Sequence, residues 1–411
     1  MRALLVLIAA LPLGAQQLRL ADLESMALAA NPSLAQADAR VRAAAGRMRQ
    51  AGAYPNPTVG ATGGEIHAGE VFRGGEFGGF LEQRIVLGSK LGLARRAAEQ
   101  DQRASQENRE GERLRVLIAI RQLYYRALTA QRLLEVRQEM AGVTARTAAT
   151  SAELQNIGQA DQPDRLTAEI ESERAQLAVT IARNAQELVW REIAAFVNQA
   201  DLLPQRLEGD LESIPMVTAD TALARILSES PQVRAAEALA IRDGIMVQRA
   251  HAENIPDLQL RGGLHYNREL LESSGGRAAP VGKQGSFEAG IRIPIFNRNQ
   301  GGVAAAEAEA VLAGREADRV RMALRQRFAS VFRQYQDSVA TLSRYREALI
   351  PKAREAFDMY TGNFRQMSAA YPKILASQRN LIQLQDEYLS SLLGAWESAV
   401  EIDGLLAGEM R

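Results

Sequence analysis

Leu258-Gln259-Leu260-Arg261-Gly262-Gly263-Leu264-His265-Tyr266-Asn267 alternates along its length. Leu258, Leu260, Gly262, Leu264 and Tyr266 fall on one side, and Gln259, Arg261, Gly263, His265 and Asn267 on the other. A period of two is the mark of a half-buried strand. A Gly/Ser-rich loop over about 272–285 leads to a second alternating run. Here Phe287, Ala289, Ile291, Ile293 and Ile295 oppose Glu288, Gly290, Arg292 and Pro294. Together they predict a long hairpin with one apolar face, set in a chain whose other patterns are helical.

The hairpin has a twin. Pro32 and Pro57 recur as Pro231 and Pro256 at a spacing of 199, and Gly63-Gly64 returns as Gly262-Gly263. Pro163 recurs as Pro372, and Gly92 as Gly301, at a spacing of 209. The chain therefore reads as one unit of about 200 residues written twice. A ten-residue insertion falls between Gly263 and Gly301 of the second copy. Repeat one is expected over 16–205 with its hairpin at about 58–87, a linker over 206–219, and repeat two over 220–411 with its hairpin at about 257–296. In copy one, Thr58 to Glu65 goes up and Phe77 to Leu87 comes down, with Leu81, Ile85 and Leu87 on one face.

Outside the hairpins the period is helical. Alanine-rich segments run up to each hairpin and are interrupted at Asn31-Pro32 and Ser230-Pro231, where proline suits a first helical turn. Lys90 to Ile157 holds no proline, and its 68 residues make a helix of roughly 100 Å. Leu117, Ile120, Tyr124, Ala127 and Leu134 form an apolar stripe suited to coiled-coil packing. A turn over 157–163 leads to a helix from Asp164 to about Asn198. Copy two repeats this with 299–366, a turn through Ser368 to Pro372, and a helix over 373–406. Pro351 has no counterpart and should bend or interrupt its helix.

Composition narrows the class. Lys plus Arg and Asp plus Glu are 49 each, so no basic surface points to nucleic acid. With no cysteine there is no thiolate nucleophile, zinc-thiolate site or disulfide. Arg2, the apolar run Ala3 to Leu13 and Gly14-Ala15 read as a signal peptide over 1–15, removed on export. His67, His251 and His265 have no i,i+4 partner and fall in no metal motif, and no Ser/His/Asp set can be assembled. The chain reads as no enzyme, without metal or cofactor.

An exported hairpin with one apolar face must cover it, and strands of about ten residues span a bilayer. An open sheet cannot sit in lipid with unpaired edges, and four strands are fewer than the eight or so of the smallest outer-membrane barrels. Three copies would give twelve strands, continued by the helical hairpins as a tube. The lipid-facing candidates are Leu258, Leu260, Leu264, Tyr266, Phe287, Ile291 and Ile293.

Several stretches then carry a resemblance. Ile293-Pro294-Ile295-Phe296-Asn297-Arg298-Asn299-Gln300-Gly301-Gly302 is similar to the strand-to-helix junction of the TolC-type outer membrane efflux family, especially its cobalt-zinc-cadmium resistance branch. Glu82 to Lys90 is its counterpart in copy one, and Ala376-Ser377-Gln378-Arg379-Asn380-Leu381 resembles the segment after the second helical turn. The resemblance covers nearly the whole mature chain. It implies a mainly α fold with β, a homotrimer forming a 12-stranded β-barrel continued by an α-helical barrel. It further implies an outer-membrane location in a Gram-negative cell, reaching into the periplasm.

The function so implied is a passive exit duct of a tripartite efflux system, for metal cations or small toxic compounds. Its partners would be a periplasmic adaptor (a membrane fusion protein), an inner-membrane pump of the RND type and outer-membrane lipid. A type I protein secretion duct and a soluble periplasmic coiled-coil scaffold are the alternatives. The resemblance places adaptor contacts and gate at the two turns: Gly158, Asp161, Pro163 and Asp164 in copy one, and Met367, Pro372 and Lys373 in copy two. Some relatives carry an acidic ring just after the second turn. The matched positions here are Lys373 and Ala376, while Asp161 and Asp164 supply acids at the first turn. Helix N-capping is the plainer role for Asp164.

Overall fold

A computed structural model describes residues 18–65, 75–158, 161–272, 278–365 and 371–406. Residues 1–15, read as a signal peptide, and Met367 lie outside them. The order is α1 (Leu20–Ala30), α2 (Pro32–Ala51), β1 (Thr58–Gly64), β2 (Glu76–Ile85), α3 (Lys90–Asn156), α4 (Gln162–Phe196), α5 (Ala219–Glu229), α6 (Pro231–Ala252), β3 (Leu258–Glu272), β4 (Ala278–Ile291), α7 (Gln300–Arg344), a π segment (Tyr345–Leu349), α8 (Ile350–Arg365) and α9 (Tyr371–Gly404). The fold is mainly helical with one small antiparallel sheet, and α3 is a single helix of 67 residues. Among the described residues no helix is long and apolar enough to cross a membrane.

Two compact units divide the chain, each drawing on both repeats. The first comprises 1–36, 110–231 and 322–411. Its core gathers Leu23, Ile120, Trp190, Ile193, Val197 and Ala395, all but closed to solvent. Tyr125 stacks on Trp396 with ring centroids 3.9 Å apart, and the Trp396 indole N–H donates to the Leu211 carbonyl at 2.8 Å. That bond ties the segment before α5 to α9, and Tyr335 Oη on α7 ties the same segment to α7 by donating to the Pro215 carbonyl at 2.7 Å.

Pro351 interrupts its helix as expected, and the form of the interruption is a π segment. A proline ring crowds the carbonyl four residues back and offers no N–H to it. Here the ladder widens one turn earlier: the Ile350 N–H reaches the Tyr345 carbonyl, an i to i−5 bond. Tyr345 Oη donates to Glu387 on α9 at 2.6 Å, which anchors the widened turn.

The second unit comprises 37–109 and 232–321 and carries the sheet, in strand order β1-β2-β3-β4. Both hairpins are antiparallel, and the copies are joined through β2 and β3, from Glu76↔Asn267 to Ile85↔Leu258. Small side chains let the helices below approach closely, with Ala104 against Ala235 and Ala238.

Three expectations are corrected. The second hairpin has strands of 15 and 14 residues, so Glu272 and residues 278–285, read as part of a loop, belong to β3 and β4. Apolar alternation stops near Asn267, but backbone pairing continues through the polar stretch after a register shift between Asn267 and Leu270. Conversely β4 ends at Ile291, so Ile293 and Ile295 are not strand residues within one chain. β3 begins at Leu258 and offers 292–295 no partner.

The third concerns the repeat. The left-handed residues Ser89 and Asn299, and the helix starts Lys90 and Gln300, are 210 apart rather than 209. Gly92 thus corresponds to Gly302 and eleven residues are inserted at the second hairpin, while the starts of α4 and α9 keep the spacing of 209 read from Pro163 and Pro372. The doublet Gly301-Gly302 let the sequence align one residue early.

Candidate functional site

The sheet sorts side chains by face. Cross-strand partners share a face, so the ladder puts Val59, Leu81, Ile85, Leu258, Leu260, Leu264, Tyr266, Phe287 and Ile291 on one side. Several stand open: Val59 is 78% exposed, Leu264 77% and Phe287 74%. Leu258 and Leu260 are half-buried. Of the seven lipid-facing candidates, six are brought together on this face, and Ile293, also exposed, lies just past β4. Apolar area of this kind, open on a sheet, needs a cover.

The opposite face is polar and internally bonded. His265 Nε2 lies 3.1 Å from Gln284 Oε1 and 3.5 Å from Glu76 Oε2. Asn267 Nδ2 donates to Glu76 Oε1 at 2.9 Å. The Arg261 guanidinium lies over the Phe80 ring, 4.0 Å from its centroid. Gly78 makes room for the His265 backbone, since a Cβ there would run into the Leu264 carbonyl and the His265 Cα. Among the described residues, no group of three or more His, Asp or Glu side chains is placed to hold a metal ion.

Where the strands meet the helices, one buried ion pair joins the repeats. Lys90, the first residue of α3, and Asp257, just before β3, are 2.9 Å apart, with side chains only 8% and 9% exposed. Lys90 Nζ also donates to the Ile255 carbonyl at 2.6 Å, and Arg84 and the Leu87 N–H both donate to the Asp257 carboxylate. Burial pushes the Asp257 carboxyl up, but donors from Lys90, Arg84 and Leu87 outweigh it and hold it at about 2. Sequence reading missed this cluster. The two residues stand 167 positions apart, and only the position of each at a junction marks them.

The helical turns lie in the first unit. Gly158 follows α3 with φ +75°, a left-handed helix end that glycine adopts without strain. α4 begins at Gln162, so its N-cap is Asp161, which makes no side-chain capping bond, and Pro163 sits in its first turn. Asp164 lies inside the first turn, where its charge complements the helix dipole. It does not cap. Pro372 and Lys373 are exposed in the first turn of α9.

Behind the turns the tip is well packed, with Ala168, Ala353, Phe357, Ile374 and Leu381 in one buried cluster. Glu171 on α4 accepts from Arg379 on α9 at 2.6 Å and from Arg174 at 2.9 Å.

Comparison with known proteins gives this arrangement a family. The family model described as "Outer membrane efflux protein" matches residues 23–199 and 222–406, once in each repeat. The chain is 26% identical over 322 residues to the cobalt-zinc-cadmium resistance protein CzcC of Cupriavidus metallidurans, covering 78% of this chain and 75% of that protein. Its fold matches a crystal structure of CusC with a TM-score of 0.75 at 17% identity, over 95% of this chain and 92% of the other. It also matches the outer membrane protein VceC of Vibrio cholerae with a TM-score of 0.75 at 19% identity, over 95% and 96%. The two-copy order, the amphipathic sheet and a family match over most of both repeats agree, and the chain belongs to the outer membrane efflux protein family.

Proposed function

We propose that three copies of this chain form the passive outer-membrane duct of a tripartite efflux system whose cargo is divalent metal cations. The observation that carries the reading is the four-stranded sheet, apolar and exposed on one face, polar on the other. Its edges β1 and β4 have no partner strand among the described residues. Lipid can cover the apolar face only if those edges are closed. Two copies would give eight strands, and a barrel of about that size is filled by its own side chains. Three give twelve and leave a lumen lined by the polar face.

The chain's own part is structural. Leu264, Phe287 and their neighbours meet lipid, while His265, Gln284, Glu76 and Arg261 line water. The turns at Gly158–Asp164 and Met367–Lys373 meet a periplasmic adaptor that connects to an inner-membrane pump of the RND type. Metal as cargo rests on the likeness to CzcC, a cobalt-zinc-cadmium resistance protein. Fold alone leaves cargo open.

The test is twofold. The mature protein, extracted from outer membranes in mild detergent, is expected to run at the mass of three chains. A detergent-independent monomer would overturn the duct. Deleting the gene is expected to raise cell-associated cobalt, zinc or cadmium. Unchanged metal with lost tolerance to organic toxicants would overturn the cargo assignment and leave the duct standing.

A further inference from the structure

The polar face of the sheet gathers three metal-ligating atoms from three strands. His265 on β3 and Gln284 on β4 are direct partners in the ladder, and Glu76 on β2 opposes Asn267, the next residue of β3 on the same face. His265 Nε2 is thereby 3.1 Å from Gln284 Oε1 and 3.5 Å from Glu76 Oε2. Donor atoms held about 2.0–2.2 Å from one metal ion stand about 2.8–3.6 Å apart at neighbouring corners of its octahedron or tetrahedron. Both distances fall in that range. An imidazole nitrogen with a carboxylate and an amide oxygen suits a first-row divalent cation such as Zn²⁺ or Co²⁺.

The carboxylate is aimed by its neighbours. The register of β3 shifts just past Asn267, and the Glu269 N–H in that irregularity donates to Asn267 Oδ1 at 2.7 Å. With its oxygen so held, Asn267 turns its amide nitrogen to Glu76 and donates to Oε1 at 2.9 Å. Asn267 is 5% exposed, so this support is buried. The other carboxylate oxygen, Oε2, is the one that faces His265. Ligating carboxylates in metal sites are held by hydrogen bonds of this kind, and bulges beside sites re-aim side chains. Gly78, opposite His265 in the ladder, has no side chain to crowd it.

We propose that His265, Glu76 and Gln284 form a low-affinity divalent-cation site on the lumen wall, where cations in transit bind and are released. Its place in a lumen rests on the duct proposed above, and it gives the cargo named there a defined contact with the chain. β3 starts at Leu258 and rises about 3.3–3.4 Å per residue, which puts His265 about 23 Å from the junction of strands and helices. The site therefore stands at the far end of the four-stranded part, whose last rung runs through Gly64, Glu76, Asn267 and Gly282. The donors come from three separate strands, so no sequence motif marks them.

Low affinity follows from the donor set. Gln284 supplies a neutral amide oxygen, so the three side chains bring one negative charge to a doubly charged ion, and affinity tracks the charge of the ligands. Among the described residues no third His, Asp or Glu joins His265 and Glu76, so the set falls short of a resident metal centre. Weak binding is what a conduction path requires, since a cation must leave the site as readily as it enters. The side chains of His265 and Glu76 are 16% and 32% exposed, held by their neighbours yet open to an arriving ion and its water.

Isothermal titration of the purified protein with Zn²⁺, any affinity tag removed, reads the site. The chain has no cysteine to compete, and His67→Ala with His251→Ala removes the other two histidines. In that background Zn²⁺ is expected to bind once per chain, and His265→Ala to abolish the binding. Glu76→Gln should weaken it about tenfold or more, and Gln284→Glu, which adds a second carboxylate, should tighten it about tenfold. Mg²⁺, which keeps its water and prefers oxygen ligands, should not compete. Zn²⁺ binding untouched by His265→Ala, or absent from both the parent and Gln284→Glu, overturns the site. Gln284→Ala, expected to weaken binding, gives a second reading if Gln284→Glu fails to assemble, and unchanged affinity there overturns the assignment of Gln284. Zn²⁺ held through these residues by a chain that does not run as a trimer overturns the duct and leaves the site standing.

Discussion

Replacing Asp257 by asparagine removes one charge from the junction between strands and helices while keeping its shape. Lys90 then retains the Ile255 carbonyl at 2.6 Å and Glu253 at 3.7 Å, but loses the one counter-ion among the described residues that is buried as deeply as itself. Removing one partner of a buried pair costs about 3–5 kcal/mol, because the other charge stays desolvated. Glu253 remains nearby and is 41% exposed, and an amide oxygen still accepts a neutral hydrogen bond. The lower end, about 3 kcal/mol, therefore applies, equivalent to about two decades in a local opening constant.

Native-state hydrogen exchange reads this directly. The Leu87 amide donates to Asp257 Oδ1 at 3.2 Å, and the Leu93 amide closes the first turn of α3 on the Ser89 carbonyl at 2.9 Å. Both should exchange about a hundredfold faster in Asp257→Asn. Lys90→Met alone should do the same, and the double variant should be less damaged than the two losses added. Additive effects, or unchanged exchange at Leu87, would refute the view that this pair clamps the junction.

Other outcomes follow from the same geometry. The Asp257 carboxyl, held at about 2 against an ordinary value of about 3.9, contributes stability that is fully present above the ordinary value, so Leu87 protection should fall as pH drops from about 4 towards 2. Gly78→Ala sets a methyl group against backbone at Leu264 and His265 and should cost about 1–3 kcal/mol, seen as a lower melting temperature of the assembled protein. Gly79→Ala, with its nearest neighbour 3.6 Å away, should be mild by the same measurement. Leu264→Lys on the apolar face should cost about 2–4 kcal/mol near the bilayer midplane and reduce the protein in outer-membrane fractions, whereas Gln284→Ala on the polar face should not. Gly158→Ala forces a Cβ into the left-handed region and should destabilise the α3 end by about 1 kcal/mol, measurable by faster exchange of the Ile157 and Gly158 amides.

Periodic features were the legible ones. The 67-residue α3 appeared in the sequence almost residue for residue, because a long run without proline and with a steady stripe has few alternatives. The faces of β3 and β4 were equally plain where apolar and polar residues alternate. The outer halves of those strands were not, since Arg268, Glu269 and Lys283 give no side-chain pattern and the ladder there rests on backbone bonds. Ile293 was assigned to a strand on pattern alone, and pattern cannot say whether a partner exists within the chain. The start of α4 was misread by two residues because proline tolerates several positions in a first turn, which moved the cap from Asp161 to Asp164. Lys90 and Asp257 left no signal, as two charges far apart in sequence become a pair only once β2 and β3 have registered.

The widened turn at Tyr345–Leu349 makes the two helical hairpins mechanically unlike. α3 is a beam with an unbroken ladder, while its counterpart is two beams, α7 and α8, meeting at a joint. A joint that has already given up its i−4 bonds offers less stiffness, so a bending load on α7 and α8 is absorbed there and leaves the segments on either side straight. The duplication supplied two equal struts, and one proline turned the second into an articulated one.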